Sequence, residues 1–158
     1  MSDAVTYMNA ATKTAGIIDG LPDKIALRPI KKVGIIGAGT MGGGIAMNFA
    51  TAGIPVTIVE TRQDALTHGL GVVRNNYQRS ADRGRFAQDE VDARMARIEG
   101  ALKIEKLVDC DLVIEAVFED MDLKKRIFSE LDKVCKAGAI LATNTSALNI
   151  DEIAAVTS

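Results

Sequence analysis

The chain has 158 residues, 47% of them apolar, and a formal net charge of −2. That length and apolar share suit one globular domain with a sizeable core and exclude a disordered chain. The slight acidity argues against a nucleic-acid partner, and no apolar run approaches the roughly 18 residues needed to span a membrane. Cys110 and Cys135 are too few and too far apart for a disulfide framework or a metal site, and they read as ordinary thiols. No basic-then-apolar signal pattern opens the chain, so the expected setting is cytoplasmic.

Residues 1–30 are polar and rich in small side chains, with neither strand alternation nor a strong helical stripe. Val5, Met8 and Ala11 could line one weak amphipathic turn. Gly20-Leu21-Pro22-Asp23 and Arg28-Pro29 read as turn and linker chemistry. The expectation is a tether over residues 1–30 and one folded domain over residues 31–158.

Lys32–Ile36 is a short apolar run that reads as a buried strand. Gly37-Ala38-Gly39-Thr40-Met41-Gly42 follows, with glycines spaced G-x-G-x-x-G, and then a helix over Met41–Thr51. Gly37 permits the tight turn, Gly39 lets a pyrophosphate approach the backbone, and Gly42 lets the helix pack close to the strand. The amides of the first helical turn have no intrahelical partner, so an anion is favoured there. Gly53 and Pro55 end the helix, and Val56–Val59 reads as a second strand. Glu60 ends that strand, where a carboxylate can accept the ribose hydroxyls of an adenosine and repel a 2′-phosphate. NAD is therefore expected over NADP.

A long helix is expected from Arg62 to Ser80, with Leu66, Leu70, Val73 and Tyr77 on its buried face. Gly69 and Gly71 weaken it by about 1 kcal/mol each unless something packs closely there. His68, the one histidine, reads as a surface residue of this helix. Asp82-Arg83-Gly84-Arg85 breaks the helix, and a second runs over Gln88–Arg97. Together they make a helical hairpin where a minimal dinucleotide fold has one crossover. Its arginines form either a solvated face balanced by acids or a site for the phosphates of a large anionic substrate.

A short strand is expected near Arg97–Ala101, a stronger one over Asp111–Phe118, a helix over Met121–Lys136 and a strand over Ala139–Ala142. A polar turn, Thr143-Asn144-Thr145-Ser146, leads into a last helix starting near Asn149. Strands alternating with helices imply a parallel sheet with right-handed crossovers. In the order 3-2-1-4-5 the crevice opens between strands 1 and 4. The glycine bend, the Val117-Phe118-Glu119 turn and the Asn144-Thr145-Ser146 turn then meet, which makes Glu119, Lys124 and Ser146 candidates to face the nicotinamide end.

Gly37–Ala46, Asp111–Glu119 and Thr143–Ser146 together resemble the cofactor domain of L-3-hydroxyacyl-CoA dehydrogenases, and most closely the dehydrogenase part of multifunctional fatty-acid β-oxidation enzymes. The resemblance implies a Rossmann-type doubly wound parallel sheet with a helical-hairpin insertion after strand 2. It implies oxidation of a 3-hydroxyacyl-CoA to a 3-ketoacyl-CoA with NAD as hydride acceptor. It places Gly37, Gly39, Thr40, Met41 and Gly42 at the pyrophosphate, Glu60 at the ribose, and Val117, Phe118, Glu119 and Lys124 on the nicotinamide side. Ser146 is implied as the catalytic residue that holds the substrate oxygen, and it also borders the cofactor. Asn76 and Arg83 are implied as contacts of the substrate's CoA.

The family's general base is a histidine in a His-Phe-Phe-(Asn/Ser)-Pro motif well beyond the Asn-Thr-Ser turn, and the present chain stops short of it. A C-terminal helical domain that mediates dimerisation is likewise absent, so the expectation is cofactor binding without turnover by these 158 residues. The tether could join a hydratase domain to this one in a longer chain. Two other readings are a non-catalytic nucleotide-binding module and the cofactor domain of a small-hydroxyacid dehydrogenase.

Overall fold

The computed structural model describes residues 3–17, 20 and 25–158. Its elements are α1 (Asp3–Ala15), β1 (Val33–Ile36), α2 (Thr40–Thr51), β2 (Val56–Val59), α3 (Gln63–Asp82), α4 (Gln88–Met95) and β3 (Ile98–Ala101). A 3-10 turn at Ile104–Leu107 leads to β4 (Leu112–Glu115), α5 (Met121–Val134), β5 (Ile140–Thr143) and α6 (Ile150–Ala154). The five strands form one parallel sheet in the order β3-β2-β1-β4-β5. The order reverses beside β1, which puts the crevice between β1 and β4.

β1 is buried along its whole length because helices cover both faces of the sheet. On one side Val33, Ile35 and Ile58 pack with Ala46 and Ala50 of α2 and Leu66, Val73 and Tyr77 of α3. On the other, Ile36, Val59 and Val113 pack with Leu107 and Leu131. Fully burying one such aliphatic side chain contributes about 1.5–3 kcal/mol, so these two layers hold the strand ends that carry the site.

The helical hairpin is present as α3 and α4. Tyr77 locks it to α2 by donating to the Met47 carbonyl at 2.8 Å. Three hairpin arginines are engaged locally. Arg74 pairs with Asp92 at 2.9 Å, Arg94 pairs with Glu90 at 3.1 Å and lies over Phe86, and Arg97 reaches the Ala50 carbonyl. Arg79, Arg83 and Arg85 are exposed.

Two expectations need correction. The amino-terminal segment contains a helix of 13 residues rather than one weak turn. It buries no residue, so no packed face fixes its pattern. Its support is local, with Asp3 in the first turn, Lys13 in the last and the good helix formers Ala4, Met8, Ala10 and Ala11 set among poorer ones. The turn read at Gly20-Leu21-Pro22-Asp23 lies mostly outside the described residues. The strand expected over Asp111–Phe118 ends at Glu115. Val117 and Phe118 have strand-like chemistry but form a loop, and Phe118 is 86% exposed.

Candidate cofactor-binding site

Two of the three glycines of the bend are required by contacts within the protein, and the third leaves a space. Gly37 has φ +103°, and a Cβ there would lie 2.7 Å from the Ala116 carbonyl oxygen, so β1 turns tightly against the end of β4. A Cβ on Gly42 would lie 1.9 Å from the Gly37 carbonyl oxygen, so α2 rises directly off the bend. Gly39 faces open space. The first turn of α2 is closed by Gly43 donating to the Gly39 carbonyl at 2.8 Å. The amides of Thr40, Met41 and Gly42 stand outside the helix's own ladder, at the positive end of its dipole.

Glu60 reaches this bend. Its Oε2 accepts from the Ala38 amide at 3.2 Å, and its Oε1 accepts from the Thr61 amide at 2.7 Å and hydroxyl at 3.1 Å. Partial burial pushes its pKa up, but the Ala38 and Thr61 donors outweigh it and hold the carboxyl below its usual range. The acid is ionised at neutral pH and held at the end of β2.

A cleft of about 850 Å³ opens along the carboxyl ends of the strands. Glu60 and Thr61 flank one part, Gly37, Gly39, Thr40 and Met41 the middle, and Val117 and Phe118 the β4 side. Leu102, Ile104, Leu123 and Ile127 add apolar walls, with Arg126 among them. Gly42 is buried behind the bend and does not line the cleft.

Beyond Phe118 the β4 loop is tied to the turn after β5. Glu119 Oε1 accepts from the Thr145 hydroxyl, from the Ser146 amide at 3.1 Å and from the Ala147 amide at 3.4 Å. The Thr145 hydroxyl is the chief cause that holds the Glu119 carboxyl below its usual range. Ser146 is exposed beside this carboxylate. Lys124 sits lower, fully buried, with Nζ 2.8 and 2.9 Å from the two Glu115 oxygens and 3.4 Å from Glu119 Oε2.

Glu115 was missed in the sequence. It is also fully buried, and it accepts from the Val117 amide at 2.7 Å and the Thr143 hydroxyl at 2.6 Å. An acid inside the apolar run Leu112–Val117, nine residues before a lysine on the buried side of a helix, was the available signal.

The hairpin residues do not join this cleft. Asn76 lines a separate recess of about 280 Å³, with His68, Gly39 and Thr40 around it. Arg83 caps the end of α3 in solvent, outside that recess.

A glycine bend at a helix amino terminus, an acid at the end of the next strand and a cleft at the switch point together define a dinucleotide-binding α/β domain. The chain belongs to one family of these: residues 32–158 match the family described as "3-hydroxyacyl-CoA dehydrogenase, NAD binding domain". It is 45% identical over 133 residues to the peroxisomal bifunctional enzyme of Cavia porcellus, covering 84% of this chain and 18% of that protein. Among solved structures it resembles (S)-3-hydroxybutyryl-CoA dehydrogenase PaaH1 from Ralstonia eutropha, with 37% identity, TM-score 0.80, and 82% of this chain and 46% of that one covered. The dehydrogenase part of multifunctional enzyme 1 from C. elegans matches with 31% identity and TM-score 0.79, over 98% of this chain and 36% of that one. The chain thus spans less than half the length of these relatives.

NAD fits the residues present. The cleft runs from the ionised Glu60 carboxylate past free helix-terminal amides, and the side-chain-free Gly39 leaves room for a diphosphate. Among the described residues no helix is long and apolar enough to cross a membrane.

Proposed function

We propose that the chain is the cofactor-binding portion of a 3-hydroxyacyl-CoA dehydrogenase acting in fatty-acid β-oxidation, which oxidises a 3-hydroxyacyl-CoA to a 3-ketoacyl-CoA. One observation carries the reading: the cleft that begins at Glu60 and the glycine bend reaches Val117 and Phe118, next to the Glu119–Ser146 link. When bound there, NAD supplies a hydride acceptor.

The chain's own residues have separate tasks in this reading. The Thr40 and Met41 amides meet the pyrophosphate, and Glu60 accepts the ribose hydroxyls. Val117 and Phe118 border the nicotinamide side. Ser146, presented by Glu119, positions the substrate oxygen and stabilises charge that develops on it. Lys124 acts from below, through Glu119. Asn76 and the exposed arginines Arg79, Arg83 and Arg85 are assigned to the CoA portion of the substrate. The imidazole base and the dimer interface belong to a further helical domain, and residues 1–30 are a tether to a hydratase domain. His68 lines the smaller recess instead of the Ser146 turn, so it is not the base.

Cys110 and Cys135 are free thiols, as a reducing compartment would keep them. The cytoplasm satisfies that, while several relatives are named peroxisomal.

The test is made on the complete natural protein, assayed by NADH oxidation. The expected result is reduction of acetoacetyl-CoA in preference to small ketoacids such as pyruvate, and a kcat about 100-fold lower in Ser146→Ala. Preference for the small ketoacid would refute the substrate assignment.

A further inference from the structure

Glu115 and Lys124 form an ion pair with no exposed side-chain surface on either partner. Burying two charges is expensive, and an apolar pair of similar volume is often as stable or more so. Stability alone therefore does not explain the pair, and what it touches matters more. Glu115 accepts from Val117 in the β4 loop and from Thr143 at the end of β5. Lys124 reaches across to Glu119, and Glu119 holds Thr145, Ser146 and Ala147. One buried carboxylate is thus connected to both loops that follow β4 and β5. The first of them, at Val117 and Phe118, walls the cleft.

We propose that Glu115 is a positioning residue: it fixes Lys124 beneath the two loops, and through Lys124 and Glu119 it sets the Val117–Phe118 wall and the Ser146 turn against the nicotinamide half of the cofactor. This rests on the reading that the nicotinamide lies on the β4 side of the cleft. The pair is a strut. Its buried ammonium is already shared by two carboxylates, so it serves the cofactor by holding protein groups in place. The adenosine half is held by Glu60 and the glycine bend, which share no hydrogen bond with this network.

The separation gives a direct test. ADP-ribose has the adenosine, both phosphates and the second ribose, but no nicotinamide. NADH and ADP-ribose are titrated by calorimetry into the 158-residue chain and into Glu115→Gln. The wild type is expected to bind NADH more tightly than ADP-ribose. In Glu115→Gln that advantage falls about tenfold while ADP-ribose affinity is unchanged. The double variant Glu115→Gln/Lys124→Met removes both charges and avoids an unpaired buried ammonium, and it is expected to lose the same advantage. The proposal is overturned if either folded variant keeps the full NADH advantage, or if ADP-ribose binding falls in parallel, which marks general damage. A wild type that binds NADH no more tightly than ADP-ribose overturns the nicotinamide placement itself and the proposal with it.

Discussion

The Glu60 carboxylate accepts a hydrogen bond from the Ala38 amide at 3.2 Å, so the acid that ends β2 touches the bend that ends β1. This fixes the distance between the two groups proposed to recognise the adenosine half. Charge-assisted hydrogen bonds of this kind contribute about 1.5–3 kcal/mol each. Glu60→Gln keeps the shape and removes the charge. NADH affinity is expected to fall about 10- to 100-fold, and the preference for NADH over NADPH to narrow, because the 2′-phosphate no longer meets an anion. Fluorescence titration with both cofactors measures this. Unchanged discrimination would remove Glu60 from the site.

Two glycines of α3 are predicted to behave oppositely. A Cβ on Gly69 would lie 2.2 Å from the Ala38 carbonyl oxygen, within the glycine bend, whereas Gly71 faces open space. Gly69→Ala is expected to destabilise by about 1–3 kcal/mol and to weaken NADH binding through displacement of the bend. Gly71→Ala is expected to stabilise by about 0.5–1 kcal/mol, since it only improves helix propensity. Thermal unfolding with and without NADH separates the two. Equal effects of the two substitutions would contradict the packing described.

Much of this architecture was legible in the sequence because its signals are local. The strand order, the bend and the acid 20-odd residues on follow from one fingerprint, and Glu60 does touch the bend. The buried face of α3 was equally readable, since Leu66, Val73 and Tyr77 recur at helical spacing. The closeness of Glu119 to Ser146 followed from topology. The remainder lacks such signals. Among the described residues, α1 buries no side chain that would fix its pattern. In the sequence Lys124 reads as facing the nicotinamide end, because only the tertiary fold shows Glu115 waiting beneath it. Gly69 looked like a weakness until Ala38 was seen against it.

Asp111 gives a pH-dependent contribution far from the cleft. Lys136 is the chief cause that lowers its carboxyl pKa, helped by the Lys31 and Lys32 amides, to about 2. The unfolded value is roughly 3.9. A depressed folded pKa contributes stability that is fully present above the unfolded value and is lost as pH falls toward the folded one. Asp111→Asn is therefore expected to lower stability at neutral pH and to flatten the fall between about pH 4 and pH 2. Urea unfolding across that range checks this, and parallel acid profiles would contradict it.

Cys110 is fully buried, and burial pushes its thiol up to about 11. At neutral pH it is expected to resist iodoacetamide in the folded chain and to react only on unfolding. Mass spectrometry after timed labelling checks this. Labelling as fast as that of a free thiol would place Cys110 at the surface.

The central claim is that a nucleotide diphosphate lies over the bend with its ribose on Glu60. Calorimetric titration of NADH into the 158-residue chain tests it most directly, with NADPH titrated alongside. The expected result is saturable heat with NADH and markedly weaker binding of NADPH. No heat with NADH, or tighter binding of NADPH, would contradict it.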